Sequence, residues 1–448
     1  MAEVTEVDVV VVGMGPGGED AAGRLAEAGL EVVAVEAGLV GGECPYYGCI
    51  PTKMMVRAAD ALAEGRRVNG LAGEAEVLPS WEPVAARLRE ATGGWDDKAA
   101  AERFTGKGGT LVRGFGRLTG AREVTVGERV LRARRAVLLN PGTEPVIPPL
   151  EGLRDTPFWT NRDAVRAAEL PGSLLVLGGG TIGVEMAQAF TRFGCRVTVL
   201  EGGERLIARE EPESGELLEK IFAREGIDVH TGERATRVEY DGRRFTVEFG
   251  GRSYSAEKFL VATGRRTDLA KLGVGSVGLD ESARTIPVDG RMRAADGVWA
   301  IGDVTGEGAF THVSMYQAAI AVRDILGQDG PPADYRALPR VTFTDPEIGA
   351  VGLTEAQARE KGRDVRTSFV PLSDSSRGWI HRAEGFIKLV ADGDELLGAT
   401  TAGPAGGEVL GALVVAIHGR VPVSSLAHMI YAYPTFHRAI EAAVDALA

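Results

Sequence analysis

At 448 residues, with 44% hydrophobic and 25% charged residues, the chain has the composition of a folded globular protein of several domains, without a long disordered tract. Its formal charge of −13 argues against nucleic acid or an anionic membrane as partner, so any bound anion must meet a local positive field. No apolar run reaches the ~18 residues of a membrane span, the acidic start MAEVTEV is unlike a signal peptide, and three cysteines do not make a stapled secreted fold; the expectation is a cytoplasmic protein.

The first predicted unit is VVVVGMGPGGEDAAGRLAEAGLEVVAVE. An apolar strand runs into a G-x-G-x-x-G turn at Gly13, Gly15 and Gly18; a helix-period stretch, Gly29, a second apolar strand and Glu36 follow. The first glycine permits the tight turn, the second lets backbone approach a pyrophosphate, and the third lets helix and strand pack closely. The helix N-terminus favours phosphate, and the closing acid accepts ribose hydroxyls.

Next comes GGECPYYGCIPTK, Gly41 to Lys53. A zinc site needs four ligands, and Cys44 and Cys49 have no matching pair. Positions i and i+5 of an undistorted helix lie about 7.5 Å apart along the axis, beyond the usual Cα limit of about 6.8 Å for a disulfide. Pro45, Gly48 and Pro51 supply irregular backbone that could close that gap. A redox-active disulfide and a buried couple of small hydrophobes both remain open at this point. A helical insert is predicted from Arg57 to Lys107, and Pro148-Pro149 marks a linker.

LLVLGGGTIGVEMAQAFTRFGCRVTVLE repeats the first skeleton, with Gly178, Gly180, Gly183, Gly194 and Glu201 matching Gly13, Gly15, Gly18, Gly29 and Glu36. Two such units imply two dinucleotides. Glu201 suits a free 2′-hydroxyl and repels a 2′-phosphate, which favours NADH over NADPH, although Arg205 follows four positions later. Cys195 is placed in the strand from 195 to 199 as a core residue. Further on come VATGRR (Val261 to Arg266), GVWAIGDVTG (Gly297 to Gly306), a linker at Pro331-Pro332, and PRVTFTDPEIGAVGLTEAQA (Pro339 to Ala358).

Taken together, and with GG-x-C-x4-GC-x-P-x-K close to a signature, the chain resembles class I pyridine nucleotide–disulfide oxidoreductases, the family of lipoamide dehydrogenase, glutathione reductase and mercuric reductase. The resemblance implies an α/β fold of two Rossmann-like dinucleotide-binding domains plus a C-terminal α+β dimerisation domain. FAD would occupy 1–150, NAD(H) 151–265, FAD again 266–335, and a subunit interface 336–448. It implies a Cys44–Cys49 redox disulfide, with Cys49 nearest the flavin and Cys44 the exchange thiol. Lys53 and Glu185 match the pair beside the flavin, and Gly42, Gly142, Gly264, Gly302, Asp303 and His312 join the two glycine loops and their acids as cofactor-binding positions. No metal is implied, and the active site would be shared across a homodimer that serves a small-molecule electron acceptor.

The pattern breaks near the end. Where the family carries H-P-x-x-x-E, this chain has YAYPTFHRAIEAA, with Tyr433 at the histidine position and Arg438 at the glutamate position. A phenol of pKa about 10 is a poor base at neutral pH. His437 and Glu441, four apart on one helix face, are the alternative dyad, and Arg438 is a candidate anchor for an anionic substrate. Asn140-Pro141-Gly142 replaces Ala-Thr-Gly, and Glu43 replaces a common threonine, an acid expected to raise the neighbouring thiol pKa. No cysteine follows Cys195, so large thioredoxin reductases and mercuric reductases are not expected. The leading expectation is a sulfur acceptor, with weak turnover of dihydrolipoamide. The alternatives are a quinone or dye reductase fed directly by flavin, and a redox-sensing flavoprotein.

Overall fold

The computed structural model describes residues 4–447. They separate into two compact units, one of residues up to 51, 86–146 and 264–334, the other of 52–85, 147–263 and 335 onward.

The first unit is built on parallel strands in the order Val298–Ala300, Arg129–Leu139, Val4–Val12, Val32–Glu36 and Thr110–Arg113. Val9 and Val11 face one core with Leu25 of the helix Pro16–Glu27 and Ala318 of the helix Thr311–Ile325; Val10 and Val12 face a second core with Val35 and Leu118. A parallel strand covered on both faces needs a continuous apolar run rather than alternation, which is why this strand is written Val-Val-Val-Val. Pro16 at the first turn of its helix has the right φ and lacks only an N–H that would be unpaired there.

The second unit repeats the plan. Asp228–His230, Arg196–Leu200, Ser173–Leu177 and Lys258–Val261 form a parallel sheet, joined through the helix Thr181–Arg192. A meander of Ala235–Tyr240, Phe245–Phe249 and Arg252–Ala256 shares a core with it through Phe245, Phe249 and Phe259. A five-stranded antiparallel sheet follows, in the order Pro339–Thr342, Glu347–Gly352, Glu395–Gly403, Phe386–Asp392, Val365–Pro371. The helices Gly406–His418 and Arg438–Asp445 cover its core. The α/β class, with two Rossmann-like sheets and a C-terminal α+β layer, is the one the sequence implies.

The insert is helical, as Cys49–Arg67, Glu82–Ala91 and Lys98–Gly106. Trp81 stacks on Phe190 at 5.1 Å and stands edge-on to Phe193 at 5.2 Å, tying it to the helix Thr181–Arg192. Cys195 lies just ahead of the strand Arg196–Leu200 rather than in it, because its amide closes the preceding helix on Phe190 O. It is buried all the same, and burial pushes its thiol up to about 12, so it is inert. Among the described residues no helix is long and apolar enough to cross a membrane.

Candidate active site

The two glycine loops have one geometry. Glu36 accepts from Met14 N and Gly38 N, both at 2.6 Å. Glu201 accepts from Gly179 N and, at 2.5 Å, from Gly203 N. In each case the carboxylate binds the residue after the first glycine and the residue two places beyond itself. Gly13 and Gly178 take φ of +93° and +111°, which L side chains rarely adopt. A Cβ on Gly18 would lie 2.0 Å from Gly13 O, and one on Gly183 1.9 Å from Gly178 O, so both third glycines are required by packing. Gly15 and Gly180 stand at the helix N-caps, and above Gly180 a Cβ would meet nothing within 4 Å. Helix N-termini with a carboxylate beside each fit the pyrophosphate and ribose of FAD and of a nicotinamide dinucleotide. Burial pushes the Glu36 carboxyl up, and the two amides act against it. Arg205 turns away, donating to Ala208 O at 2.9 Å.

The cysteine segment is packed on the first of these loops. A Cβ on Gly42 would lie 2.9 Å from Gly15 Cα, so this glycine lets the two backbones touch. Cys44 sits half-buried in the short helix Glu43–Tyr46, and Cys49, exposed, opens the helix Cys49–Arg67. Between them Gly48 N and Tyr47 N both donate to Glu43 O, at 2.7 and 2.8 Å, so the chain turns rather than running as one helix. Cys49 Sγ lies 3.3 Å from Thr311 Oγ1.

Arg265 lies 3.4 Å from Glu43, donates to Thr143 Oγ1 at 3.0 Å and to Thr143 O at 2.5 Å. Thr143 in turn donates to Asp303 at 2.8 Å, and burial pushes the Asp303 carboxyl up. The acid beside Cys44 therefore faces a guanidinium rather than standing as an unpaired charge. Gly142 and Gly264 flank the two-residue ladder of Glu144–Pro145 with Arg265–Arg266, Gly302 opens the turn holding Asp303, and exposed His312 stacks on Phe310 at 5.1 Å. The substituted Asn140 has a structural use: oriented so that Gly18 N donates to its oxygen at 3.0 Å, its nitrogen reaches Ile301 O and Ser314 Oγ, each at 3.2 Å. Four pieces of the first unit meet on that buried amide.

In the second unit Lys53 donates to Glu185 at 2.7 Å, with Glu185 2% exposed. The other Glu185 oxygen accepts from Phe343 N at 2.9 Å, and Lys53 lies 4.8 Å from the Phe343 ring centre. The same helix carries Gln188, bonded to Asp345 on both sides, and Arg192, paired with Asp60 at 2.6 Å, Glu225 at 2.6 Å and Asp345 at 2.9 Å. Arg67 also pairs with Asp345. Burial pushes Asp60 up to about 6.

At the C-terminal end Tyr433 is 71% exposed and donates to Ser376 Oγ at 3.1 Å. His437 is exposed at the N-cap of the helix Arg438–Asp445, and Glu441 pairs with Arg438 at 2.5 Å. The carboxylate considered as a partner for His437 thus pairs with the arginine in the first turn instead. Sequence reasoning did not find Thr311, Thr143 or the use of Arg265; Thr311 stands beside His312, and only the folded chain brings it to Cys49. Among the described residues no group of three His, Cys, Asp or Glu is suited to hold a metal.

The family model described as pyridine nucleotide-disulphide oxidoreductase matches residues 7–322, and that of the family's dimerisation domain matches residues 338–444. The chain is 36% identical to a dihydrolipoyl dehydrogenase of Thermus scotoductus over 98% of this chain and 97% of that protein. It is 33% identical to a mercuric reductase of Shewanella putrefaciens over 95% and 78% respectively. The solved structure of the HOCl-induced flavoprotein disulfide reductase RclA from Escherichia coli superposes with a TM-score of 0.86 at 26% identity, over 98% of this chain and 100% of that one. With twin dinucleotide cradles and a cysteine pair on the first, the chain belongs to the pyridine nucleotide-disulphide oxidoreductases, which work with FAD and NAD(P)H.

Proposed function

We propose that the enzyme takes hydride from NADH at the second cradle and, through FAD at the first, reduces a disulfide between Cys44 and Cys49, which then reduces a disulfide or related sulfur compound. The observation that carries this reading is the contact of Gly42 with Gly15, which seats the cysteine segment on a dinucleotide loop. When bound, FAD supplies the two-electron relay between nicotinamide and sulfur. Lys53, fixed by the buried Glu185, supplies a cation suited to hold negative charge on reduction. Cys49, beside Thr311 of the helix that carries His312, is the cofactor-side sulfur, and Cys44 is the exchange thiol. Residues 1–150 and 266–335 hold FAD on this reading, and 151–265 hold NADH. Residues 336–448 pair two copies, whose exposed Val415, Ile430 and Trp379 suit a subunit contact. Few cysteines and a disulfide with a redox role fit the cytoplasm.

Steady-state NADH oxidation by wild type, Cys44→Ser and Cys49→Ser, offered low-molecular-weight disulfides and then quinones, tests the reading. Loss of disulfide turnover by roughly 100-fold in both variants, with quinone turnover kept, supports it. Quinone turnover alone in the wild type points to direct flavin transfer. Slow turnover with every acceptor points to a sensor.

A further inference from the structure

Thr311 is the first residue of the 15-residue helix Thr311–Ile325, and its hydroxyl lies 3.3 Å from Cys49 Sγ. The helix is long enough for its N-terminus to carry partial positive charge, and Phe310 before it provides no side-chain cap. Cys49 thus meets a hydroxyl donor and the positive end of a helix together, and both favour thiolate over thiol.

We infer that Thr311 is a positioning residue that keeps Cys49 ionised once the disulfide opens. The inference rests on the proposed function, and the chemistry balances as follows. Reduction breaks the Cys44–Cys49 bond, adds two electrons drawn from NADH by way of FAD, and takes up one proton. Thr311 biases that proton onto Cys44 and leaves the charge on Cys49. The bias matters more here than in relatives with the histidine, because Tyr433 is a poor base for drawing a proton from Cys44. The Thr311 hydroxyl reaches the sulfur, so it acts through Cys49.

The test is the pH dependence of iodoacetamide alkylation at Cys49, followed by peptide mass in dithiothreitol-reduced holoenzyme. Thr311→Val, Thr311→Ala and Thr311→Ser are compared with the wild type. Valine and alanine should slow alkylation of Cys49 below its pKa by roughly tenfold, the effect of a shift of about one unit, and serine should restore it. Rates at Cys44 should change less. An unchanged Cys49 profile in the valine and alanine variants, or a serine variant as slow as they are, overturns the inference. Because dithiothreitol opens the disulfide, this result stands apart from the proposed function, which fails separately if NADH exposes no new thiols.

Discussion

At the residue scale, the proposed preference for NADH rests on a few side chains. Glu201 is fixed by two backbone amides, so its remaining lone pairs are aimed rather than mobile. A carboxylate so held accepts ribose hydroxyls and repels a 2′-phosphate, while Arg205, bonded to Ala208 O, does not offset it. Glu201→Ala should therefore raise KM for NADH about tenfold, the scale of one charge-assisted hydrogen bond, with NADPH affected little or helped. Initial rates with both nucleotides check this; a wild type that uses NADPH as well as NADH contradicts it. The residue scale is also where sequence reading ran out. Glu36 and Glu201 were legible because a repeated spacing names them. The pairing of Glu43 with Arg265 was not, since the two side chains are far apart in the chain and only the return segment brings them together.

At the scale of elements, the helix Thr181–Arg192 turns one face of Glu185, Gln188 and Arg192 toward the helix Cys49–Arg67 and the segment 343–345. The spacing i, i+3, i+7 puts all three on one side. Arg192 faces Asp60, Glu225 and Asp345, and Asp345 has Arg67 as well, so Asp60 is the carboxylate least compensated. Its folded pKa of about 6 lies above the ordinary 3.8. The stability this contributes is present below 3.8 and lost as pH rises through about 6. Asp60→Asn should therefore gain in melting temperature relative to the wild type between about pH 4.5 and about pH 7.5, modestly because the Asp60 side chain is 38% exposed. A gap that stays constant across that range contradicts the assignment. The strands of these units were plain in the sequence because sheets buried on both faces demand unbroken apolar runs. The Arg192 cluster was hidden, because a charged helix position looks solvent-facing until its partners are placed.

At the scale of the molecule, the two Rossmann-like sheets and the C-terminal antiparallel layer follow from an internal repeat and a motif order read in this chain, matched by the family models over residues 7–322 and 338–444. The acceptor does not follow, because Tyr433 and Arg438 stand where the pattern of the resembled family has a histidine and a glutamate. The central claim is that electrons from NADH reach Cys44 and Cys49. The most direct measurement is an anaerobic titration of the FAD-loaded protein with NADH, following the flavin spectrum and counting alkylatable thiols by mass. The account predicts that one equivalent of NADH makes Cys44 and Cys49 newly reactive, together with a long-wavelength band from a thiolate lying against the flavin. Bleaching of the flavin with neither the band nor new thiols would contradict it.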